Sequence, residues 1–338
     1  MAREATTLNT WAIAISRTLD ARGLDSAGLF AQVGLDPQIL RDPNGRYPVS
    51  KMAKLWRLAV ETTGDPCFAL KASAYVQPAT FHSLGLAMMA SQNLEDAMLR
   101  TARFSRIVSN AVDVVVEHTP RGVKEVVRFL EGVPIVDEGI DLFMASTLKL
   151  GRMLTAVEHL PVEIRLCRGG NAETHAEFEK FFGCSVEFGA EENSLLIPHE
   201  LMNLPLPMAN PELARRNDRV VMEYLRSFDG AKISEKVRVE LISRLPSGEP
   251  ARGDIAGVFN MSEKTLQRRL RLEDTNYQAI LDETRNELAK QYLGERQLSV
   301  CDVTFRLGFS DQSSFTRAFK RWTGVSPGEF RNAKGLAA

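Results

Sequence analysis

The sequence predicts two parts: an α+β N-terminal domain of helices plus a small, mainly antiparallel sheet, then an all-α domain with two helix-turn-helix motifs. Three observations carry this. A length of 338 residues suits two domains. Runs of β-branched residues are confined to the stretch from Val112 to Ile197, with helical patterns on both sides. Finally, a block in the last ninety residues occurs twice.

Along the front, Trp11, Ile15 and Leu19 recur at i, i+4, i+8, and Met52, Leu55, Trp56, Ala59 and Val60 form a second apolar stripe, so the first hundred residues read as short helices. Gly64-Asp65-Pro66 supplies a C′ glycine, an N-cap aspartate and a proline at N1, ending one helix and opening the next. Helical spacing continues around Phe81 to Met89 and Leu94 to Ile107. Val112 to Glu117 and Val123 to Leu130, split by Pro120-Arg121-Gly122, predict a hairpin. A helix from Asp137 to Val157 follows, then strands at Val162–Cys167, Ser185–Phe188 and Ser194–Ile197, with a helix at Ala172–Phe182 among them. Residues 203–211 hold three prolines and are the expected boundary, since proline continues neither helix nor ladder. From Pro211 onward every segment reads helical.

Apolar residues make up 44% and charged residues 25%, which excludes disordered and fibrous classes. A net charge of -1 names no partner, but the balance is uneven. From Lys232 onward 18 Lys and Arg stand against 14 Asp and Glu, whereas the residues before it carry 24 against 29. An acidic front and a mildly basic back suggest two separate jobs. The four cysteines, Cys67, Cys167, Cys184 and Cys301, show no CxxC spacing and are expected to be buried free thiols in a reducing compartment. No secretory leader or membrane span is expected, so the predicted location is cytoplasmic.

In the repeat, Ile255–Ser262 aligns with Val303–Ser310 at an offset of 48, and Thr265–Arg271 with Ser314–Lys320 at an offset of 49. Each copy is a short apolar helix, a turn at Asn260 or Gly308, a serine able to cap, and a basic amphipathic helix. That is the layout of a helix-turn-helix, whose second helix enters the DNA major groove. In the first copy Leu266 and Leu270 face inward, while Lys264, Gln267, Arg268 and Arg271 share another face. In the second, Phe315, Phe319 and Trp322 face inward, and Ser313, Thr316, Arg317 and Lys320 occupy the register of the first quartet, with Arg321 beside them. Arginine can donate bidentately to guanine and glutamine to adenine, and neighbouring cations can neutralise phosphates. Ser299 with Asp302, and Ser326-Pro327-Gly328-Glu329, predict two further helix starts. The amphipathic stretch Tyr277–Leu293 would hold the two motifs apart as a strut of roughly 24 Å.

Leu266-Gln-Arg-Arg-Leu270, Arg285–Leu293 and, above all, the run from Leu307-Gly-Phe-Ser to Val325-Ser-Pro327 resemble the AraC/XylS transcription regulators over about the last hundred residues. The front and the Leu204–Pro211 linker are similar, more loosely, to the subgroup with an arabinose-binding-type N-terminal domain. The resemblance implies a one-component regulator. Residues 1–205 would bind a small-molecule effector, dimerise, or do both, 206–231 would be linker and connecting helix, and 232–338 would bind DNA through helix-turn-helices at about 251–272 and 299–322. By family pattern, the base-reading positions fall on Lys264, Gln267 and Arg268 and on Gln312, Ser313 and Arg317. Implied partners are double-stranded promoter DNA, RNA polymerase and a second copy of the chain.

Other features carry less. His82, His118, His159, His175 and His199 form no HxH or HxxxH pair, so neither metal nor cofactor is expected. Asp137, Glu138 and Asp141 read as first-turn acids of a helix rather than an acid/base pair. Phe81, Leu84, Met88 and Met89 could line a pocket, but an apolar stripe is core first. No nucleophile motif, phosphate loop or metalloprotease signature is present, so an enzyme is not expected. An enzyme with a DNA-binding tail and an architectural DNA binder are the competing classes. Turnover by the front part would support the first, and weak sequence preference the second.

Overall fold

The computed structural model describes residues 4–129, 132–133, 136–157, 163–227, 233–294 and 298–333. The chain divides into two units, Met1–Tyr224 and Leu225–Ala338.

The first unit opens with β1 (Thr6–Leu8), α1 (Thr10–Asp20), α2 (Ser26–Gln32), β2 (Arg46–Pro48), α3 (Val49–Thr63), α4 (Phe68–Ala72), α5 (His82–Met89) and α6 (Leu94–Val108). β1 and β2 pair antiparallel, with Thr7 opposite Tyr47. Strands of three residues are too short to show a period of two, and sequence reading had this whole region as helix. α3 buries Met52, Leu55, Trp56 and Ala59, and stops at Gly64 with φ +61°. Asp65 does not cap the next helix directly. Its Oδ1 accepts from Cys67 N at 3.0 Å, and the helix starts at Phe68, two residues later than the Gly-Asp-Pro signal suggests. Asn93 caps α6, accepting from Asp96 N at 2.8 Å.

Then come β3 (Val112–Thr119), β4 (Gly122–Phe129), α7 (Asp137–Thr155), β5 (Glu163–Leu166), α8 (Ala172–Phe182), β6 (Val186–Phe188), β7 (Asn193–Ile197), α9 (His199–Met202) and α10 (Pro211–Ser227). The predicted hairpin and both long helices are present. Leu130 and Val162, the expected ends of two strands, lie outside the described residues. The five-stranded sheet has the order β3-β4-β7-β5-β6, antiparallel except for the β5–β6 pair. Val123 and Val127 of β4, Ile164 and Leu166 of β5, and Leu195 and Ile197 of β7 join Met144 and Leu148 of α7 and Phe178 and Phe182 of α8 in one core.

The proline-bearing segment is strapped to this unit. Leu206 is buried, its N–H donates to Gln92 O at 2.9 Å, and Asn210 N donates to Ala90 O at 2.9 Å. Prolines remove donors only at their own positions, so the intervening residues can still bond. α10 then buries Ala214, Asp218, Val221 and Met222 at helical spacing. By packing, the division falls after Tyr224, within the 206–231 segment.

The second unit is helical throughout its described residues: α11 (Ile233–Arg244), α12 (Arg252–Val258), α13 (Glu263–Arg271), α14 (Tyr277–Leu293), α15 (Val300–Arg306), α16 (Gln312–Thr323) and α17 (Pro327–Ala333). Its core combines Leu241 of α11, Ile255 of α12, Leu266 and Leu270 of α13, Leu281 and Leu288 of α14, Val303 of α15, and Phe315 and Phe319 of α16. Both copies of the repeat thus draw on a single core, which fixes them to each other.

Cysteine placement departs from expectation. Cys67 is buried and Cys184 half-buried, but Cys167 and Cys301 are exposed. Ile164 and Leu166 take the inward positions of β5, leaving Cys167 on the other parity. Val303 and Thr304 take the inward positions of α15, leaving Cys301 outside.

Candidate nucleic-acid interface and effector cavity

The two turns of the repeat share one backbone geometry. Asn260 (φ +53°) and Gly308 (φ +72°) both stand in the left-handed region. Met261 N donates to Ala256 O at 3.0 Å and Asn260 N to Gly257 O at 3.0 Å; Phe309 N donates to Thr304 O at 3.2 Å and Gly308 N to Phe305 O at 2.9 Å. These are the paired bonds of a Schellman close, twice. Gly308 is needed for a further reason: a Cβ there would lie 2.9 Å from Glu249 N and 3.0 Å from Leu245 O.

The caps correct one sequence assignment. Ser262 opens α13, accepting from Thr265 N at 3.2 Å, but α16 is opened by Asp311 rather than Ser310, with Oδ1 accepting from Ser314 N at 2.8 Å. The inserted residue lies before the cap, so the offset of 49 already holds from residue 262 onward. The Ser314 backbone N–H and hydroxyl on Asp311 hold its carboxyl below the usual range. The predicted capping boxes at Ser299–Asp302 and Ser326–Glu329 are both formed.

Two equivalent faces result. Leu266 and Leu270, and at the same register Phe315 and Phe319, are buried. On α13, Lys264, Arg268 and Arg271 are exposed and Gln267 half-exposed; on α16, Gln312, Ser313, Arg317 and Lys320 are exposed and Thr316 half-exposed. Lys264, Arg268, Arg271 and Lys320 form no salt bridge among the described residues. Arg317 Nη2 donates to Ser314 Oγ at 3.3 Å. Arg321 differs from the others, since it pairs with Asp282 of α14 at 3.2 Å.

Sequence reading missed the residue that joins the motifs. Arg285 of α14 is buried; its Nε donates to Leu307 O at 2.9 Å, Nη2 to Gly308 O at 3.1 Å, and Nη1 pairs with Glu249 at 2.9 Å. Its guanidinium also lies 4.1 Å from the centre of the Phe309 ring. One side chain thus grips the turn of the second motif and the segment leading into the first. Tyr277, the first residue of α14, donates to Pro250 O at 2.7 Å, and burial pushes its phenol up to about 12. The signal was a cation at core spacing, between Leu281 and Leu288.

In the first unit a cavity of about 140 Å³ lies against one face of the sheet. Trp11, Met52, Trp56, Met98, Val127 and Phe143 are among its apolar walls. Phe81, Leu84 and Met88 also line it, so that stripe belongs to a cavity wall as well as to the core, while Met89 packs toward Ala97, Leu154 and Leu206. Glu125 of β4 lines it too, 1% exposed, and burial pushes its carboxyl up to about 7. Asp137 and Glu138 sit in the first turn of α7 as expected, whereas Asp141 is buried against Arg168. His159 lies outside the described residues, and among those described no three His, Cys, Asp or Glu side chains gather in a metal-binding group.

α6, which contributes Met98 and Thr101 to the cavity, is fastened to α10. Arg100, 2% exposed, bonds Asp218 through Nε at 3.2 Å, Ser91 Oγ through Nη1 at 2.9 Å, and also Asp96. Burial opposes the charge of Arg100, but the two carboxylates outweigh it and raise its pKa.

Paired helix-turn-helices with exposed cationic faces on one core define a DNA-binding transcription regulator. Known proteins agree. A model of the arabinose-binding N-terminal domain of AraC transcription regulators matches residues 23–206, and a helix-turn-helix domain model matches residues 255–333. The chain is similar to the ornithine utilization regulator of Pseudomonas aeruginosa, 28% identical over 316 residues and covering 92% of each chain. It is also similar to the HTH-type transcriptional regulator VirS of Mycobacterium tuberculosis, 30% identical over 210 residues, 61% of this chain and 60% of that one. Among solved structures, the transcriptional regulator CdpR of Pseudomonas aeruginosa aligns with a TM-score of 0.48 at 20% identity, covering 96% of this chain and 98% of that one. The chain belongs to the AraC family of transcription regulators.

Proposed function

We propose that the chain is a sequence-specific regulator that reads two adjacent major-groove segments of its promoter DNA, α13 entering one and α16 the other, under control of a small molecule held in the cavity of the first unit. The observation that carries this is the recurrence, 49 residues apart, of the quartet Lys264, Gln267, Arg268, Arg271 as Ser313, Thr316, Arg317, Lys320, on capped helices sharing one core. Arg268 and Arg317 take the central positions suited to bidentate contact with guanine, and Gln267 suits adenine. Lys264, Arg271 and Lys320 flank them and neutralise phosphates, with Gln312 and Ser313 at the start of α16. Arg321 reaches the backbone once it leaves Asp282. A second copy and RNA polymerase complete the assembly at the promoter, and the chemistry is binding rather than turnover.

Control requires the effector to bind two states of the chain unequally. The Arg100 link from α6 to α10 supports a route by which the cavity wall moves the helix leading out of the first unit. Fluorescence anisotropy of the full chain, on its own upstream DNA and on a scrambled duplex across a salt series, tests the reading. A preference of about 10³-fold or more for its own DNA is expected. Equal, steeply salt-dependent binding to both would instead make it an architectural binder.

A further inference from the structure

The cavity holds a carboxyl for which the described residues offer no partner. Both carboxylate oxygens of Glu125 are buried without a hydrogen-bond partner, as is Oγ of Ser146 on α7, which lines the same space. Glu125 sits on the inward parity of β4 with Val123 and Val127, opposite Val116 of β3 and Leu195 of β7, all apolar. Among the described residues, no Lys, Arg or His lines the cavity.

None of the other charged groups described on the surrounding elements, His82 of α5 included, lines the cavity. On the strands, Lys124 pairs with Glu117 and Glu192, Arg128 with Glu117, and His118 with Glu95 of α6. On α6, Arg106 pairs with Asp113 of β3 and Arg100 with Asp96 and Asp218, while Arg103 is half-buried over the Phe104 ring with its Nε unbonded and does not line the cavity. On α7, Asp141 is held by Arg168, Lys149 by the carbonyls of Ser73, Ala74 and Val76, and Arg152 by Phe182 O; Asp137 and Glu138 do not line the cavity. On α3, Lys51 donates to Gly34 O, while Lys54 and Arg57 are exposed.

An unpaired buried carboxyl is costly. A ligand cation would relieve that cost. A ligand carboxylate would set two like charges together, and an α-amino acid would bring a carboxylate that finds no cation in the wall. The space, about 140 Å³, is close to the ~150 Å³ of an engineered apolar cavity that takes benzene.

We propose that the effector is a small primary amine with one apolar body, an aryl- or alkylamine, whose ammonium pairs with Glu125. This rests on the cavity being the effector site. Isothermal titration of the full chain with 2-phenylethylamine, 2-phenylethanol and phenylacetate, at pH 6 and pH 8, tests it. At pH 8 the amine should bind at least about tenfold more tightly than the alcohol, and phenylacetate weakest of the three. Because Glu125 titrates near 7, its ionised fraction falls from about nine-tenths at pH 8 to one-tenth at pH 6, so the amine should weaken about tenfold while the alcohol does not change. Glu125→Gln, neutral and of the same shape, should bring the amine to the affinity of the alcohol and flatten its pH dependence. If that variant does not fold, the wild-type comparison of amine and alcohol at the two pH values decides alone. Alcohol or phenylacetate binding as tightly as the amine would overturn the amine and leave the cavity standing as the site. If none of the three, nor toluene, binds, the cavity itself falls as the effector site, and the amine with it.

Discussion

Replacing Glu125 with Gln should stabilise the ligand-free first unit at pH 8 and do little at pH 5. The carboxyl is 1% exposed, has no hydrogen-bond partner among the described residues, and is pushed up to about 7 from 4.5. Between those values the unfolded chain has released the proton while the folded chain still holds it. Stability therefore falls as pH rises across that window and levels off above it. Linkage puts the penalty at on the order of 1 kcal/mol at pH 5 and 3 kcal/mol at pH 8. The advantage of Glu125→Gln should thus grow by about 2.5 kcal/mol between the two, or roughly 5–10 °C in the midpoint of a unit this size. Scanning calorimetry at pH 5, 6, 7 and 8, following the first unit's transition, measures it. Burial also pushes Asp141 up, to about 8, against the pull of Arg168, so the wild type alone mixes two titrations and the difference between variant and wild type isolates Glu125. An advantage independent of pH would refute the reasoning, since it would mean that Glu125 is already paired or solvated in the folded chain.

Arg268→Ala and Arg317→Ala should each cost about 1–3 kcal/mol on the cognate duplex and relax base preference at one position, read by anisotropy. Equal losses on cognate and scrambled DNA would move these side chains to the phosphates. Lys264→Ala and Lys320→Ala should weaken binding evenly across sequences and lower the slope of log K against log salt by about 0.9 each; an unchanged slope would exclude a phosphate contact. Gly308→Ala combines a left-handed φ with a Cβ 2.9 Å from Glu249 N, and should cost the second unit more than the ~1–2 kcal/mol of the conformation alone in thermal unfolding. A cost below 1 kcal/mol would show that the 245–249 segment yields. Arg100→Met strands Asp96 and Asp218, and should cost about 3–5 kcal/mol in urea unfolding. It should also abolish the effect of a bound ligand on DNA affinity, and unchanged coupling would exclude that route.

The parts legible in the sequence are those decided within a turn or two of chain. The matched basic faces follow from a period of 3.6 and a repeated block, and the helix ends at Gly64, Ser299 and Ser326 from capping chemistry. The errors arose where local chemistry allows two answers. Ser310 and Asp311 can each cap, and the bond to Ser314 N selects Asp311. The prolines of 203–211 suit a linker or a strap, and only the acceptors at Gln92 and Ala90, a hundred residues away in the chain, make it a strap.

The residues that organise the candidate sites share one mark that the sequence does show: a charged side chain at core spacing. Glu125 stands between Val123 and Val127, Arg285 between Leu281 and Leu288, and Asp218 between Ala214 and Val221. Their fates diverge because each depends on what the fold brings opposite. Arg285 meets carbonyls 22 and 23 residues on, in a turn whose last residues have no helical partner for them. Asp218 meets Arg100 across 118 residues. Both are satisfied within the chain, and both serve to hold elements together. Glu125 meets the apolar side chains that line the cavity. A fold that needed only stability would favour an apolar residue there, since the carboxyl weakens the unit above pH 5 and bonds nothing in return. Of the three, Glu125 alone has no partner among the described residues, and the proposed amine would supply one of opposite sign.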